Sequence, residues 1–264
     1  MTFNILFGGE DRFEDILAVI REQSPDVLVL QECLRWENGL RLARVAEAME
    51  ATFGYLGHSS PRPSGRSYHV ALLSRYPVQQ AMTYADPHLQ AHCLVEARCQ
   101  VGMSAEPEGS GVVTVFGTHF VHSSENLRFV EARVVLSRLP PVEEFWKGNY
   151  LLLGDLNALS PRDPYPADLG RLLKQAGSDK YHFPPRFEVI EHLEQYGWRD
   201  TLYALGAPKA WVTAPRDRGG VHIDYRTDYV LASLPMIRRL RRAWIVPLKQ
   251  EESDHFPCLA EFDF

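Results

Sequence analysis

The segment Leu151–Pro161, with the sequence LLLGDLNALSP, places two chemically useful side chains directly after an apolar run. The run Tyr150–Leu153 is short and wholly apolar, which is typical of a strand that is covered on both faces. Asp155 and Asn157 follow it, and side chains two residues apart on an extended chain point the same way. The carboxylate can bind a hard cation or accept a proton from water, and the carboxamide can hold a phosphate oxygen. A plain strand-to-turn junction would contain the same residue types, because Asp and Asn are favoured in turns.

Further polar residues follow apolar strands elsewhere in the chain. They are Glu32, His119, Asp228 and the pair Asp254 and His255. Each has an ordinary explanation alone, since a single histidine is more often a satisfied polar residue than a catalyst. If the strand ends meet, the site holds oxygen ligands and two histidines without cysteine, which favours Mg²⁺ or Mn²⁺ over Zn²⁺. Such a set suits attack of water on a phosphate ester, with one group as base and a histidine or amide stabilising the phosphorane oxygens.

The elements that must position these side chains follow from the apolar periodicity. Phe13, Ile16, Leu17 and Ile20 predict an amphipathic helix, and Leu42–Met49 has the same spacing. Further helices are predicted over 125–139 and 187–196, and strands over 2–7, 26–30, 71–74, 94–101, 112–117, 150–153, 258–262 and the second half of 222–233. Loops or turns are predicted at 61–67 and 105–111, and a long loop region that could include one short helix is predicted at 162–185. This interleaving predicts one mixed α/β domain over residues 1–264.

Composition limits the class of protein. The chain has 264 residues, of which 45% are hydrophobic and 23% are charged, as in globular proteins. It has no apolar stretch of the ~18 residues that a membrane span needs, and no signal peptide is expected. The four cysteines have no CxxC spacing, which argues against a disulfide framework or a zinc site and predicts a cytoplasmic protein. A net charge of −6 counts modestly against tight DNA binding.

Seven segments of the chain carry a resemblance to a known family. They are Asn4, VLVLQE ending at Glu32, LLSRYPV at 72–78, GTH at 117–119, GDLN at 154–157, RTDYVLAS at 226–233 and SDHFP at 253–257. In this order they resemble the endonuclease/exonuclease/phosphatase superfamily, which includes DNase I-like nucleases, abasic-site endonucleases, sphingomyelinases and inositol polyphosphate 5-phosphatases. The combination of QE, GDLN and SDH is specific, whereas each motif alone is weak. The resemblance implies a metal-dependent phosphoesterase with a four-layer α/β/β/α sandwich of two mixed β-sheets.

The resemblance also implies a metal site. Glu32 corresponds to the principal Mg²⁺ ligand, and Asn4 lies beside it in the family. Asp254 corresponds to a carboxylate of this site or of a second metal. Mg²⁺ or Mn²⁺ is therefore the expected cofactor.

The remaining motif residues correspond to catalytic groups of the family. Asp155 corresponds to the residue that orients or deprotonates the attacking water, and Asn157 to one that holds this water or a phosphate oxygen. His255 corresponds to the histidine on the scissile phosphate, and Asp228 to the carboxylate that fixes its tautomer. His119 corresponds to a histidine that stabilises the transition state. Either Asp155 or His255 could act as the base.

Some assignments depart from the family pattern or have an alternative. His69 stands where a glycine is common, so we expect its imidazole on the pocket wall, in contact with substrate. Arg128 in the predicted helix 125–139 is also assigned to substrate binding, although most charges of that helix are expected on a solvated face. Asp224 would take the role of Asp228 if the alignment were shifted. The basic run Arg238–Arg242 could contact phosphate, but a solvated edge is the preferred interpretation.

The substrate stays open, because the family shares one site across several kinds of phosphate ester. We expect a monomeric phosphodiesterase that acts on DNA or RNA. A small-molecule or lipid-headgroup phosphoesterase is the alternative, which the net negative charge and the small size of the chain favour. A non-catalytic binding module is the third hypothesis. It is disfavoured because every motif position of the family is occupied here by a residue that can perform the chemistry. A basic groove past the site would favour a polymer, whereas a closed bowl walled by residues 158–185 and His69 would favour a small ligand.

Overall fold

Two six-stranded β-sheets form the centre of the computed structural model, which describes residues 1–61, 65–102, 111–249 and 252–264. In chain order the strands are β1 (Thr2–Asn4), β2 (Val27–Leu34), β3 (Phe53–Gly57), β4 (Tyr68–Ser74), β5 (Val78–Tyr84), β6 (Leu94–Gln100), β7 (Val112–His119), β8 (Tyr150–Asp155), β9 (Arg199–Asp200), β10 (Arg216–Arg218), β11 (Val221–Ile223), β12 (Asp228–Ala232), β13 (Leu240–Ile245) and β14 (Cys258–Phe262). The first sheet has the order β13-β14-β1-β2-β4-β3, and the second has the order β5-β6-β7-β8-β12-β9. Both sheets are mixed, because β1–β2 and β7–β8 are parallel and their other neighbours pair antiparallel. β10 and β11 form a separate hairpin.

Helices cover the outer faces of both sheets. In chain order they are α1 (Phe13–Gln23), α2 (Leu40–Ala48), α3 (Glu125–Leu136), α4 (Val142–Phe145), α5 (Leu169–Gln175), α6 (Glu188–Tyr196), α7 (Thr201–Ala204) and α8 (Leu234–Ile237). Apolar residues of α1 and α2 pack on the outer face of the first sheet, and those of α3 and α6 pack on the outer face of the second. The predicted four-layer α/β/β/α arrangement of two mixed sheets is therefore confirmed.

Alternating side chains fill the space between the sheets. Leu151 and Leu153 of β8 belong to the same buried cluster as Val29 of β2, whereas Leu152 packs outward beneath α3 and α6. A strand that is covered on both faces must be apolar throughout, which explains the uniform run in β8. Each fully buried leucine stabilises the fold by about 1.5–3 kcal/mol relative to an exposed one. β8 ends at Asp155, while the buried apolar residues continue through Leu156, Ala158 and Leu159.

Strand β2 differs from its prediction at the position of greatest interest. It continues to Leu34 instead of ending before Glu32. Its pairing with β4 shifts between Leu30 and Cys33, and Glu32 has a φ of 61° inside this irregularity. Such bulges turn a side chain away from the regular alternation. Glu32 is therefore presented by a bulge in a strand, and the predicted strand end is wrong.

Other elements also differ from the predictions. β1 ends at Asn4 because a 3₁₀ turn follows over Phe7–Arg12. The charges of α3 are not all solvated, since Arg128 and Glu131 are buried. The turn predicted at 105–111 lies, except for Gly111, outside the described residues, as do residues 62–64 of the predicted loop 61–67. Among the helices of the described part of the chain, none has the length and apolarity to cross a bilayer.

A buried cation links the second sheet to the loop that follows Asp155. Arg226 has no exposed surface, and its Nε donates to both oxygens of Asp163, at 2.8 and 3.1 Å. Its Nη2 donates to Oδ2 of Asp200 at 2.6 Å. One guanidinium thus serves two buried acids. It fixes the start of β12, which carries Asp228, against the loop after β8.

Candidate active site

Three of the predicted catalytic residues lie side by side on the second sheet. His119 ends β7 and is the register partner of Asp155, which ends β8. Asp155 is in turn the register partner of Asp228, which begins β12. Since neighbouring strands lie ~4.8 Å apart, the backbone alone brings these side chains to one edge. The apolar runs inside each strand explain why the polar residues occur at the strand ends.

The segment that carries His255 is anchored to the first strand of the chain. Ser253 Oγ donates to the backbone carbonyl of Asn4 at 2.7 Å and accepts the N–H of His255 at 3.2 Å. Nδ1 of His255 then lies 2.8 Å from Oδ2 of Asp228, and Nε2 lies 3.8 Å from Oδ2 of Asp155. Because a carboxylate can only accept, Nδ1 carries a proton and Nε2 faces the centre of the site.

The alternative carboxylate Asp224 lies elsewhere. It pairs with the exposed His222, whose Nε2 is 3.1 Å from Oδ1 of Asp224. The geometry therefore joins Asp228, and not Asp224, to His255.

The buried charges around His255 favour its protonated form. Burial lowers the pKa of His255, but the carboxylates of Asp228 and Asp155 outweigh burial and raise the pKa to about 9. Burial also raises the pKa of Asp228, and His255 opposes that rise. The guanidinium of Arg216 lies 3.1 Å from Nε2 of His255, and a neighbouring cation works against the imidazolium. Because a guanidinium can only donate, this contact needs an unprotonated Nε2, whereas the raised pKa of His255 favours protonation of Nε2 beside an anion.

Asp155 is held at both of its oxygens. Oδ1 accepts the N–H of Asn157 at 2.8 Å, and Oδ2 accepts Nδ2 of Asn4 at 3.0 Å and lies 3.5 Å from Nε2 of His119. Asn157 has a φ of 49°, so the chain turns directly after Asp155 and the expected extended alternation stops there. The turn aims the Asn157 amide at the Phe120 carbonyl, at 3.0 Å, and at Nε2 of His119, at 3.3 Å. Asn157 thereby orients His119.

Hard oxygen donors converge where the resemblance implies a metal. Oε2 of Glu32 accepts the N–H of Phe7 at 3.0 Å, and Nδ2 of Asn4 lies 3.4 Å from Oε1 of Glu32 and 3.0 Å from Asp155. Two carboxylates around one amide fit a Mg²⁺ or Mn²⁺ ion in donor chemistry. Asn4 presents its NH₂ group here, while its Oδ1 accepts the N–H of Leu6. A metal-ligand role for Asn4 would need the opposite orientation of the amide.

Asp254 lies beside the cluster and is paired with a cation. Its Oδ2 lies 2.9 Å from Nη2 of Arg216. Within the described residues, potential ligand atoms of Asp155, Asp228 and His255 lie within 4.8 Å of one another, and Asp254 is not in this group. Because Nδ1 of His255 is already bonded to Asp228, we interpret that group as a hydrogen-bonded acid–base cluster.

The two residues assigned to substrate binding are buried. Arg128 pairs with Glu125 at 2.8 Å and donates to the Lys180 carbonyl at 2.6 Å, with no exposed surface. A substrate cannot reach it, so the assignment is corrected to a structural role beneath the site. His69 is 2% exposed, and its Nε2 lies 3.0 Å from Oε1 of Glu37. Burial lowers the pKa of His69, and Glu37 opposes this change.

Three residues near the site were not predicted. The His92 ring stacks on His119 with centroids 4.1 Å apart and planes at 2°, which fixes the plane of the His119 ring. Lys180 and Arg216 lie close enough to Asp155 and to His255, respectively, to interact with them. Burial lowers the pKa of Lys180 to about 8, although Asp155 opposes this. None of the three follows an apolar strand; the only sequence signal was the TAPRDRGG segment around Arg216, whose charge and glycines predict an exposed turn.

Comparisons with known proteins identify the family and the fold. Residues 1–255 match the sequence profile described as Endonuclease/Exonuclease/phosphatase family. An AP endonuclease from Archaeoglobus fulgidus superposes with a TM-score of 0.71 at 17% identity, over 100% of this chain and 98% of that protein. The 3′ phosphatase NExo from Neisseria, bound to product DNA hairpin, gives 0.69 at 21% identity, over 100% and 98%. D. rerio TDP2, complexed with single strand DNA product, gives 0.66 at 14% identity, over 100% and 97%. The comparison with curated proteins found no match.

Proposed function

The chain belongs to the endonuclease/exonuclease/phosphatase family of phosphoester hydrolases, and from that premise we propose that it is a Mg²⁺- or Mn²⁺-dependent phosphodiesterase that acts on nucleic acid. One observation carries the proposal. Nε2 of His119 and Nε2 of His255 approach the same oxygen of Asp155, at 3.5 and 3.8 Å. With two imidazoles around one carboxylate, the carboxylate can hold a water molecule while the imidazoles hold a phosphate next to it.

Each residue then has a distinct task. Asp155 orients the attacking water and accepts its proton. His255, with its Nδ1 proton bonded to Asp228, donates as an imidazolium from Nε2 to an oxygen of the scissile phosphate, and its raised pKa favours this role over that of a base. His119, held by Asn157, stabilises charge on the opposite side. A divalent cation bound at Glu32 would supply positive charge to the phosphoryl group.

Charge around the site supports a polyanionic substrate. Lys180 lies near enough to Arg216, Arg218 and Asp155 to interact electrostatically with each of them. A basic cluster beside the reacting groups attracts phosphate, even though the whole chain has a net charge of −6. Proteins that share this fold have been seen with DNA product, which agrees with the proposal.

The test is a cleavage screen with Mg²⁺ or Mn²⁺ on single- and double-stranded DNA, RNA, an abasic-site duplex, bis(p-nitrophenyl) phosphate and phosphomonoesters. Asp155→Asn is the inactive variant, and Asp224→Asn is the matched control, because it makes the same change on an exposed carboxylate outside the cluster. Metal-dependent cleavage of polymer that is lost only in Asp155→Asn supports the proposal. Turnover of small esters alone, with every polymer intact, would instead support a small-molecule or lipid-headgroup phosphoesterase.

A further inference from the structure

Arg216 belongs to neither large sheet, yet its guanidinium reaches the centre of the site. It begins β10 of the separate hairpin, and its Nη2 lies 3.1 Å from Nε2 of His255. Nη1 donates to the backbone carbonyl of Asp254 at 2.7 Å, and Nη2 pairs with the Asp254 carboxylate at 2.9 Å. These contacts hold one cation against the Asp254–His255 pair.

The surroundings of Arg216 differ from those of the buried arginines. The side chains of Arg128 and Arg226 have no exposed surface, and carboxylates engage each of them. Arg216 keeps 35% of its side-chain surface exposed. A guanidinium that is fixed on one side and open on the other can bind an anion with its planar array of donors.

The position of Arg216 matches the chemistry of the reaction. Attack of water on a phosphodiester concentrates negative charge on the two non-bridging oxygens. If Nε2 of His255 contacts the phosphate, the guanidinium beside Nε2 lies next to the same group. A donor that is already fixed in place stabilises the transition state without reorganising during the reaction.

We propose that Arg216 is a catalytic residue that binds a non-bridging oxygen of the scissile phosphate, and that Asp254 positions Arg216 as its counter-ion instead of ligating a metal. This inference rests on the proposed function, because it requires a phosphate at His255. A competing interpretation exists for Asp254. Its Oδ1 is buried and has no hydrogen-bond partner among the described residues, so a metal could bind there.

The first experiment measures kcat and KM on bis(p-nitrophenyl) phosphate for Arg216→Ala, Arg216→Lys and the control Arg242→Ala, which removes an exposed arginine of β13 that pairs with Glu261. Arg216→Ala should lower kcat/KM by about 10²–10³-fold, as for the loss of one transition-state donor. Arg216→Lys should recover only part of this loss, because lysine lacks the planar set of N–H donors of the guanidinium. Added guanidinium chloride should partly restore the Arg216→Ala variant, whereas KCl at equal ionic strength should not. A wild-type rate in Arg216→Ala, or a loss that guanidinium does not rescue, would overturn the catalytic role.

The second experiment concerns Asp254. Asp254→Asn should lower kcat/KM in the wild-type background. In the Arg216→Ala background it should cause little further loss of kcat/KM, since both changes disrupt the same Asp254–Arg216 pair. Mn²⁺ affinity measured by calorimetry should be unchanged in Asp254→Asn. Weaker Mn²⁺ binding would overturn the counter-ion role.

The failures of the two proposals are distinguishable. If the wild-type protein hydrolyses no phosphodiester, the proposed function is wrong, and the inference falls with it. If wild type is active and Asp155→Asn is inactive while Arg216→Ala is normal, only the inference is wrong.

Discussion

The carboxyl group of Asp163 shares the guanidinium of Arg226 with Asp200, and Asp163→Asn tests the cost of this arrangement. The side chains of Asp163 and Arg226 have no exposed surface, and Asp200 is 2% exposed. One cation between two buried carboxylates leaves an excess negative charge in the interior. Burial therefore raises the pKa of Asp163 from 3.8 to about 6, although Arg226 and the Tyr203 hydroxyl oppose the rise.

The sign and size of the effect follow from this pKa. Below about pH 4 the carboxyl is protonated in both folded and unfolded chains, and the stabilisation that the raised pKa brings is fully present. As the pH rises from 4 to 6, the unfolded chain releases its proton first, so the free energy of unfolding falls. A shift of about two pKa units corresponds to a loss of about 3 kcal/mol, complete above about pH 6. Asparagine cannot ionise, so Asp163→Asn should gain about 3 kcal/mol relative to wild type between pH 4 and pH 7.

Urea unfolding, followed by tryptophan fluorescence, measures this difference at a series of pH values between these limits. The quantity to follow is how the difference in the free energy of unfolding between Asp163→Asn and wild type changes with pH. Any cost of the substitution that does not depend on pH cancels from this change. Asp11→Asn is the control, since the Asp11 side chain is 93% exposed, and its difference from wild type should stay flat. If Asp163→Asn becomes relatively less stable as the pH rises, the attraction to Arg226 exceeds the cost of burial and the reasoning is wrong.

Further changes address the site and its support. Glu32→Ala should abolish activity through loss of the metal, and unchanged turnover at saturating Mg²⁺ would contradict the ligand assignment. His255→Ala should lower kcat by about 10²–10⁴-fold. In the same assay Asp228→Asn should lower kcat by less, and Asp224→Asn should have a kcat close to that of wild type. A larger loss of kcat in Asp224→Asn than in Asp228→Asn would refute the pairing of Asp228 with His255. Arg226→Met leaves two buried carboxylates without their cation and should lower the free energy of unfolding by about 3–5 kcal/mol in urea titrations at pH 7.5; a change below about 1 kcal/mol would show that the carboxylates find other partners.

The residues that sequence reasoning could locate are those that follow apolar strands. His119, Asp155 and Asp228 each stand where an apolar strand meets the site edge, and adjacent strand register brings them together. Glu32 was expected to be near them for the same reason, but the local pattern could not reveal that β2 continues through a bulge. Register within a sheet depends on the partner strand, which one segment does not specify.

The arginines show why side-chain roles were harder to predict. Arg128 and Arg216 both lie in charged segments that are typical of solvent-exposed surface. Only the tertiary packing shows that the two arginines have different roles. Glu125 and the Lys180 carbonyl enclose Arg128, whereas a segment 38 residues further along the chain binds Arg216. The basic run was interpreted as a solvated edge, and Arg242 is exposed on the edge strand β13, where it pairs with Glu261.

The path of the chain through the first sheet has a consequence for biosynthesis. β1 lies between β2 and β14, and Ser253 binds the carbonyl of Asn4 across 249 positions of sequence. A nascent chain on the ribosome has all the residues of the second sheet before it has His255. The arrangement of Asn4, Asp228 and His255 therefore cannot be complete until the segment around His255 has been synthesised and has closed onto the first strand.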